Sequence, residues 1–153
     1  MEVRIVDDFD VELIKKLTLL EKEAFGGGGL NEWTLPVFIK YGRVYILEEK
    51  GKVLGLAEFI KDWNDQKLVF LVGFSICRNK RGQGLGNSFL ERVIQLLKEE
   101  YVKVIRITVS SHNKVALKLY KKLGFTEIRY LKNEYGLGED RLLMELNLEE
   151  GVF

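Results

Sequence analysis

The strongest constraint on the fold is a change of hydrophobic period in the second half of the chain. Leu68–Ile76 is a long run rich in Val, Phe and Leu, apolar on both faces, as in a strand at the centre of a sheet. Apolar residues then recur at helical spacing over residues 89–97, Val104–Val109 has the pattern of a second strand, and helical spacing returns over residues 115–123. This order of elements predicts a βαβα unit with parallel strands joined by a helix.

The remaining segments add mainly strands. They comprise a strand from Val3, a helix capped by Asp10 with Ile14, Leu17, Ala24 and Phe25 on one side, a short helix over residues 33–41, strands over 44–48 and 53–60 with a turn at Lys50-Gly51, and strands over 126–130 and 141–148. Neither a repeat nor a linker interrupts the pattern, so we expect one domain over residues 1–153. The predicted fold is mixed α/β (α+β), with about seven strands and about four helices.

Composition excludes several functional classes. The 24 Lys and Arg residues nearly balance the 23 Asp and Glu residues, which leaves a net charge of +1 and no basic surface for nucleic acid. Of the basic residues Lys114, Lys118, Lys121 and Lys122, three lie in the last turns of a helix, where its negative end explains them better than a nucleic-acid contact does. Cys77 and His112 are the sole residues of their types, so we expect neither a disulfide nor a metal site. The apolar runs are shorter than the roughly 20 residues of a membrane span, and we expect a soluble cytoplasmic protein.

Four consecutive glycines at residues 26–29 follow the first helix. Glycine lets the backbone adopt conformations that other residues avoid and lets a ligand approach it closely. Two interpretations remain open: a connector that ends the helix, or a flap beside the substrate.

A second glycine-rich segment lies between the strand Leu68–Ile76 and the helix expected to begin near Asn87. It comprises Arg81, Gly82, Gln83, Gly84, Leu85 and Gly86. The first turn of a helix offers unpaired N–H groups and a positive dipole end, and no acidic residue occurs between Arg81 and Leu90 to occupy it. The segment therefore favours phosphate binding. It matches neither a Walker A loop nor a Rossmann fingerprint in spacing, and a tight structural turn is the alternative.

The helix after Val104–Val109 carries the second informative pattern. Asn113 is suited to cap its start, Gly124 to end it, and Ala116, Leu119 and Leu123 are expected to face inward. Tyr120 lies on the same side, where its hydroxyl group needs a partner or can act as an acid.

Together, the loop from Arg81 to Gly86 and the later pattern Asn113, Ala116, Tyr120, Gly124 and Phe125 resemble the GNAT superfamily of acetyl-CoA-dependent N-acetyltransferases. The resemblance extends from Val3 to Leu148. It implies a mixed sheet that splays open beside the central strand, no metal, and direct transfer of an acetyl group from acetyl-CoA to an amine. The implied cofactor-binding residues are Phe74, Ser75, Ile76, Arg81, Gly82, Gln83, Gly84, Leu85, Gly86, Asn87, Asn113, Ala116 and Tyr120.

In the implied reaction, Tyr120 protonates the departing thiolate. The family often places a glutamate base on the central strand or on the strand before the Asn helix, but Leu68–Ile76 and residues 104–110 contain no acid. Glu58 on the preceding strand is the first candidate for the base. The alternative is that Glu58 only faces solvent and has no part in catalysis. His112, Glu32 and Glu134 are weaker candidates. An acetyl-cysteine intermediate on Cys77 is disfavoured because the family transfers the acetyl group directly.

The C-terminal segment around Asn133, Glu134 and Tyr135 resembles the subgroup that acetylates the N-termini of ribosomal proteins, in which a tyrosine lines the peptide groove. Thr108 stands where that subgroup carries a glutamate, and four glycines with Glu32 and Trp33 replace its Pro-Trp loop. The expected substrate-binding residues are Glu32, Trp33 and Tyr135. The acceptor can be a protein N-terminus or a small-molecule amine, and the protein a monomer or a homodimer. A catalytically inactive acyl-CoA sensor is the alternative function.

Overall fold

The computed structural model describes residues 1–149, within which the chain forms seven strands and four α-helices. They are β1 (Glu2–Ile5), α1 (Val11–Phe25), α2 (Leu35–Tyr41), β2 (Arg43–Glu49), β3 (Lys52–Lys61), β4 (Leu68–Ile76), α3 (Leu85–Glu99), β5 (Val104–Val109), α4 (Lys114–Lys122), β6 (Thr126–Leu131) and β7 (Arg141–Asn147). None of these helices is long and apolar enough to cross a bilayer.

The strands are hydrogen-bonded in the order β1-β2-β3-β4-β5-β7-β6. β4 and β5 pair in parallel, over residues 68–70 and 104–106. The pairs β1–β2, β2–β3, β5–β7 and β6–β7 are antiparallel. The sheet is therefore mixed, as the pattern of periods predicted, and the α+β fold class is confirmed.

The chain divides into two compact units, and the division falls within β4. The first unit comprises Met1–Ile60 with Leu71–Leu96, and the second comprises Lys61–Phe70 with the described residues from Leu97 onward. The prediction of a single domain stays a prediction.

In the first unit, α1 and α2 pack against the even-numbered positions of β2 and β3. Leu17, Leu35, Val44 and Leu56 are completely buried in this core. The other side of β3 is close to α3, since a Cβ atom added to Gly55 would lie 3.0 Å from the Phe89 ring. In the second unit, β5 and β7 form a core of their own around three fully buried side chains: Ile105, Ile107 and Met144.

Several predicted details differ from the structure by two residues or by a helix face. α3 begins at Leu85 rather than near Asn87, and α2 begins at Leu35 rather than at residue 33. Phe25 was expected on the inner side of α1 but is 42% exposed at its end. In α4 the buried positions are Leu117 and Tyr120, while the three residues expected to face inward are half-buried: Ala116, Leu119 and Leu123.

Candidate active site

The predicted phosphate loop, residues 82–87, has the backbone that its glycines permit. Gly82 and Gly84 have φ angles of 76° and 79°, in the left-handed region that favours glycine. A Cβ atom at either position would meet nothing within 4 Å, so the backbone conformation and not local crowding calls for glycine there. The Arg81 Nε donates to the Ile76 carbonyl oxygen at 2.8 Å and ties the start of the loop to the end of β4.

The start of α3 leaves amide groups available to a ligand. The Ser88 N–H donates to the Gly84 carbonyl oxygen at 3.2 Å, and the amides of residues 82–87 donate to no backbone carbonyl of the described chain. The first turn contains no acidic residue. The nearest carboxylate along the helix, Glu91, accepts a hydrogen bond from the Asn87 Nδ2 at 2.7 Å. These amides and the helix dipole suit an anion.

The end of β4 presents the residues expected to align the coenzyme. The Phe74 ring stacks on Phe89 with centroids 5.7 Å apart. Ser75 is buried, and its Oγ has no hydrogen-bond partner in the described chain. All three predicted residues, Phe74, Ser75 and Ile76, lie beyond residue 70, the last residue of β4 that pairs with β5.

In the second unit, α4 carries the other predicted cofactor residues. The Asn113 Oδ1 accepts the Ala116 N–H at 3.1 Å, which confirms the predicted helix cap. Tyr120 is 9% exposed, and its ring contacts Phe125 edge-on with centroids 5.6 Å apart. Burial raises the pKa of Tyr120 to about 12, so the phenol keeps its proton at neutral pH, as a general acid requires.

Glu58, the first candidate for the base, lies in the core of the first unit. It is 0% exposed, so the alternative of a solvent-facing strand residue was wrong. Burial, then a hydrogen bond with Glu21, then the charge of Glu21 raise the pKa of Glu58 to about 10. The carboxyl group is therefore protonated at neutral pH, and its role as a base stays a prediction that requires loss of this proton.

Sequence reasoning missed Glu21, although its position carried a signal. Glu21 lies one turn after Leu17 on the buried side of α1, where apolar residues were expected. A charged residue in an apolar helix stripe is informative because ionised side chains are rarely buried without a partner.

The weaker candidates lie at the surface. His112, Glu134 and Glu32 are exposed, and the half-buried Cys77 has its Sγ 3.2 Å from the Asn79 Oδ1. Among residues 1–149, no group of three or more His, Cys, Asp or Glu side chains could hold a metal ion.

The predicted acceptor residues fall into two places. In the first unit, Glu32 borders a cavity of about 810 Å³ along α1, and Trp33 is 81% exposed. In the second unit, the Tyr135 hydroxyl and the Thr108 Oγ1 are hydrogen-bonded at 2.7 Å, and the Arg141 guanidinium lies 5.1 Å from the Tyr135 ring centroid. The structure thus joins Thr108 and Tyr135, which the sequence analysis considered separately.

Comparison with known proteins is consistent with this geometry. Residues 14–125 match the model of the acetyltransferase (GNAT) family. The chain is 32% identical to the N-alpha-acetyltransferase of Saccharolobus solfataricus over 75% of its own length and 81% of that protein. It is 30% identical to the N-alpha-acetyltransferase of Sulfurisphaera tokodaii over 65% of its own length and 66% of that protein.

Solved structures share the fold at low identity. The ribosomal-protein-S18-alanine N-acetyltransferase of Escherichia coli superposes with a TM-score of 0.78 and 22% identity, over 95% of this chain and 94% of that chain. An acetyltransferase of Bacillus subtilis in complex with CoA gives a TM-score of 0.73 and 16% identity, over 95% of this chain and 97% of that chain. Because the family model matches more than half of this chain, the chain belongs to the GNAT acetyltransferase family.

Proposed function

We propose that this protein transfers the acetyl group of acetyl-CoA to a primary amine, by direct attack while both substrates are bound. The observation that carries the proposal is the phosphate loop, where six consecutive residues, 82–87, offer amides at the start of a helix whose first turn lacks acid. An anion is the chemical complement of such a helix end. The pyrophosphate of CoA is the anion that the family membership suggests.

The pattern of the GNAT family supplies the proposed roles of single residues. In the first unit, the amides of residues 82–87 bind the pyrophosphate, and the backbone of Phe74, Ser75 and Ile76 pairs with the amides of the pantetheine arm. In the second unit, Asn113 hydrogen-bonds this arm, and Tyr120 serves the thioester sulfur. The exposure of Asn113 and the protonated state of Tyr120 support these two roles.

The proposed reaction balances with the groups that the chain supplies. The neutral amine attacks the thioester carbonyl, a C–N bond forms, and an amide near Ile76 stabilises the oxyanion. The C–S bond breaks, and Tyr120 gives its proton to the departing thiolate. The nitrogen loses a proton to solvent and the Tyr120 phenolate takes one back from solvent, so that acetyl-CoA and an amine yield an N-acetylamine and CoA-SH.

A protein N-terminus is the acceptor that we propose first. A peptide α-amine has a pKa near 8, so about a tenth of it is neutral at pH 7, whereas a lysine-like amine near 10.4 is almost wholly protonated. An enzyme whose buried Glu58 holds its proton is better matched to the α-amine. The names of the two archaeal relatives agree with this choice. A small-molecule amine of similarly low pKa is the second candidate.

Calorimetry and a kinetic panel test the proposal. Titration with CoA and acetyl-CoA measures coenzyme binding, and thiol release from acetyl-CoA is then followed with peptides of varied first residue and with polyamines, amino acids and aminoglycosides. We expect binding and faster thiol release with one or more peptides. Binding without thiol release above the blank for any amine would instead identify an acyl-CoA sensor, and absence of binding would refute both functions.

A further inference from the structure

Two glutamate side chains meet in the core of the first unit. Glu58 on β3 is 0% exposed and Glu21 on α1 is 1% exposed, and the Oε1 atoms of both lie within 3.7 Å of a Cβ atom built on Gly73. Among residues 1–149, these two glutamates are the ionisable acidic or basic residues whose side chains are buried. A buried acidic pair is a poor way to gain stability, because removal of carboxylates from water costs several kcal/mol.

The unpartnered oxygens of the two carboxyl groups indicate that the pair holds a proton. If both groups were ionised, the Glu21 Oε1 and both oxygens of Glu58 would have no donor among the described residues. Two carboxylates repel each other and cannot hydrogen-bond, whereas an acid and a carboxylate can. One proton shared between the Glu21 Oε1 and one Glu58 oxygen joins the two groups and leaves the pair with a single negative charge, while the second Glu58 oxygen keeps no donor among the described residues.

The neighbours of Glu58 do not supply another titratable partner. β2 places Val44 opposite Glu58, β4 brings Gly73 against it, and α1 contributes Glu21. Within the described chain, Glu21 is thus the titratable group that acts on Glu58, and the pair titrates as a unit.

The second oxygen of Glu21 binds the glycine loop, residues 26–29, at its end. The Leu30 N–H donates to the Glu21 Oε2 at 2.9 Å. A Cβ atom on Gly29 would lie 2.7 Å from that oxygen and 2.9 Å from the Glu21 carbonyl oxygen, so a side chain there would collide with Glu21. Glycine at position 29 therefore lets the loop close onto the glutamate.

The pair also contacts the strand proposed to bind acetyl-CoA. A Cβ atom on Gly73 would lie 2.3 Å from the Glu58 Oε1 and 3.7 Å from the Glu21 Oε1. Gly73 directly precedes Phe74, the first residue proposed to align the pantetheine arm. The pair thus connects the glycine loop to β4 through two glycines that leave room for its oxygens.

We propose that Glu21 is a positioning residue, which holds Glu58 against β4 through one shared proton and holds the glycine loop through the Leu30 amide. Loss of the shared proton to solvent leaves two buried negative charges, which separate and release the loop. The consequence for acetyl transfer rests on the proposed function, because it requires acetyl-CoA on β4. The pair itself does not.

Infrared spectroscopy of protein labelled with carboxyl-¹³C glutamate tests the pair without any substrate. We expect the wild-type protein at pH 7 to show a protonated glutamate C=O band that is lost in Glu58→Gln and kept in Glu12→Gln, a change at an exposed position of the same helix. In Glu21→Gln, the amide donates to Glu58 and removes the like charge, so we expect the Glu58 band to titrate at lower pH by about one unit or more. Absence of the band from wild-type protein at pH 7 would overturn the proposal whether or not any variant folds.

Hydrogen exchange at the Leu30 amide tests the link to the loop. We expect exchange to be at least about tenfold faster in Glu21→Ala, which loses the charged acceptor of the Leu30 amide, and to be restored in Glu21→Gln, which retains an acceptor oxygen. Equal exchange rates in wild-type protein and Glu21→Ala would refute the positioning role. If the band and the exchange behave as expected while CoA does not bind, the pair stands and the proposed function fails.

Discussion

At the scale of single residues, Tyr120 is buried, and its burial makes the hydroxyl group keep its proton. Its pKa of about 12 means that it is a neutral phenol throughout the physiological range, and it is a buried residue of α4, three positions before the C-cap residue Leu123. The ring packs against Phe125, so removal of the hydroxyl group alone leaves this contact in place.

We therefore expect Tyr120→Phe to lower kcat by about 10²-fold to 10⁴-fold, because the thiolate then leaves without a proton donor. The affinity for acetyl-CoA and the thermal midpoint should change little. Steady-state kinetics with the best acceptor of the panel, together with calorimetry, check this expectation, and an unchanged kcat would remove Tyr120 as the acid.

Substitutions of Gly84 test whether the loop binds phosphate. A side chain there faces open space but must adopt a φ angle of 79°, which costs a non-glycine residue roughly 1–2 kcal/mol. Gly84→Ala bears this strain without a charge, whereas Gly84→Glu also places a carboxylate beside the amides proposed to bind pyrophosphate. In calorimetry, we expect the alanine variant to retain most of its CoA affinity and the glutamate variant to lose binding. Equal affinities of the two variants would place the pyrophosphate elsewhere.

At the scale of elements, the helix starts show that a capping side chain can serve a second purpose. Asp10 and Asn113 each accept a backbone N–H three residues on, at 2.8 Å and 3.1 Å. Asp10 caps α1 in the first unit and has no proposed contact with the coenzyme. Asn113 caps α4 and is also proposed to bind the pantetheine arm.

The two caps therefore form a matched pair of variants. We expect Asp10→Ala and Asn113→Ala each to lower the free energy of unfolding by about 1 kcal/mol, the usual cost of a lost N-cap. Only Asn113→Ala should also weaken acetyl-CoA binding. Urea unfolding measures the first effect and calorimetry the second, and an equal loss of affinity in both variants would assign the effect to stability alone.

At the scale of the whole molecule, the buried pair predicts how stability depends on pH. The pKa of Glu58 is about 10 in the folded protein and 4.5 without its surroundings, so the folded state binds the proton more tightly. The stability contributed by this proton is complete below pH 4.5 and is lost progressively as the pH rises toward 10.

We expect the free energy of unfolding of the wild-type protein to fall between pH 5 and pH 9 more steeply than that of Glu58→Gln. The difference in slope is at most about 1.4 kcal/mol per pH unit, the value for one proton. Urea unfolding at several pH values gives both slopes, and Glu12→Gln serves as the exposed control. Parallel curves for the wild-type protein and Glu58→Gln would show that Glu58 is ionised in the folded state.

Local features could be predicted from the sequence. The strand Leu68–Ile76 was predicted with its observed bounds, and both helix caps were identified, because the periodicity of side chains and the hydrogen bonds of a cap involve residues only a few positions apart. The glycine-rich loop before α3 was also located, since its glycines and its lack of acid are contiguous in the chain, and phosphate binding there stays a prediction. The buried face of α4 was predicted less well. Neighbouring helix positions differ by about one hundred degrees in direction, and only tertiary packing decides which of them is buried.

The sequence by itself thus determined the order of strands and helices, the caps and the loop suited to an anion, all of which depend on short stretches of chain. The tertiary structure alone decided that Glu21 meets Glu58 and that Thr108 meets Tyr135. These pairs depend on strand register and on the side of the sheet that each helix covers. A shift of one residue in register turns a side chain to the other face, so no local pattern could have brought these partners together.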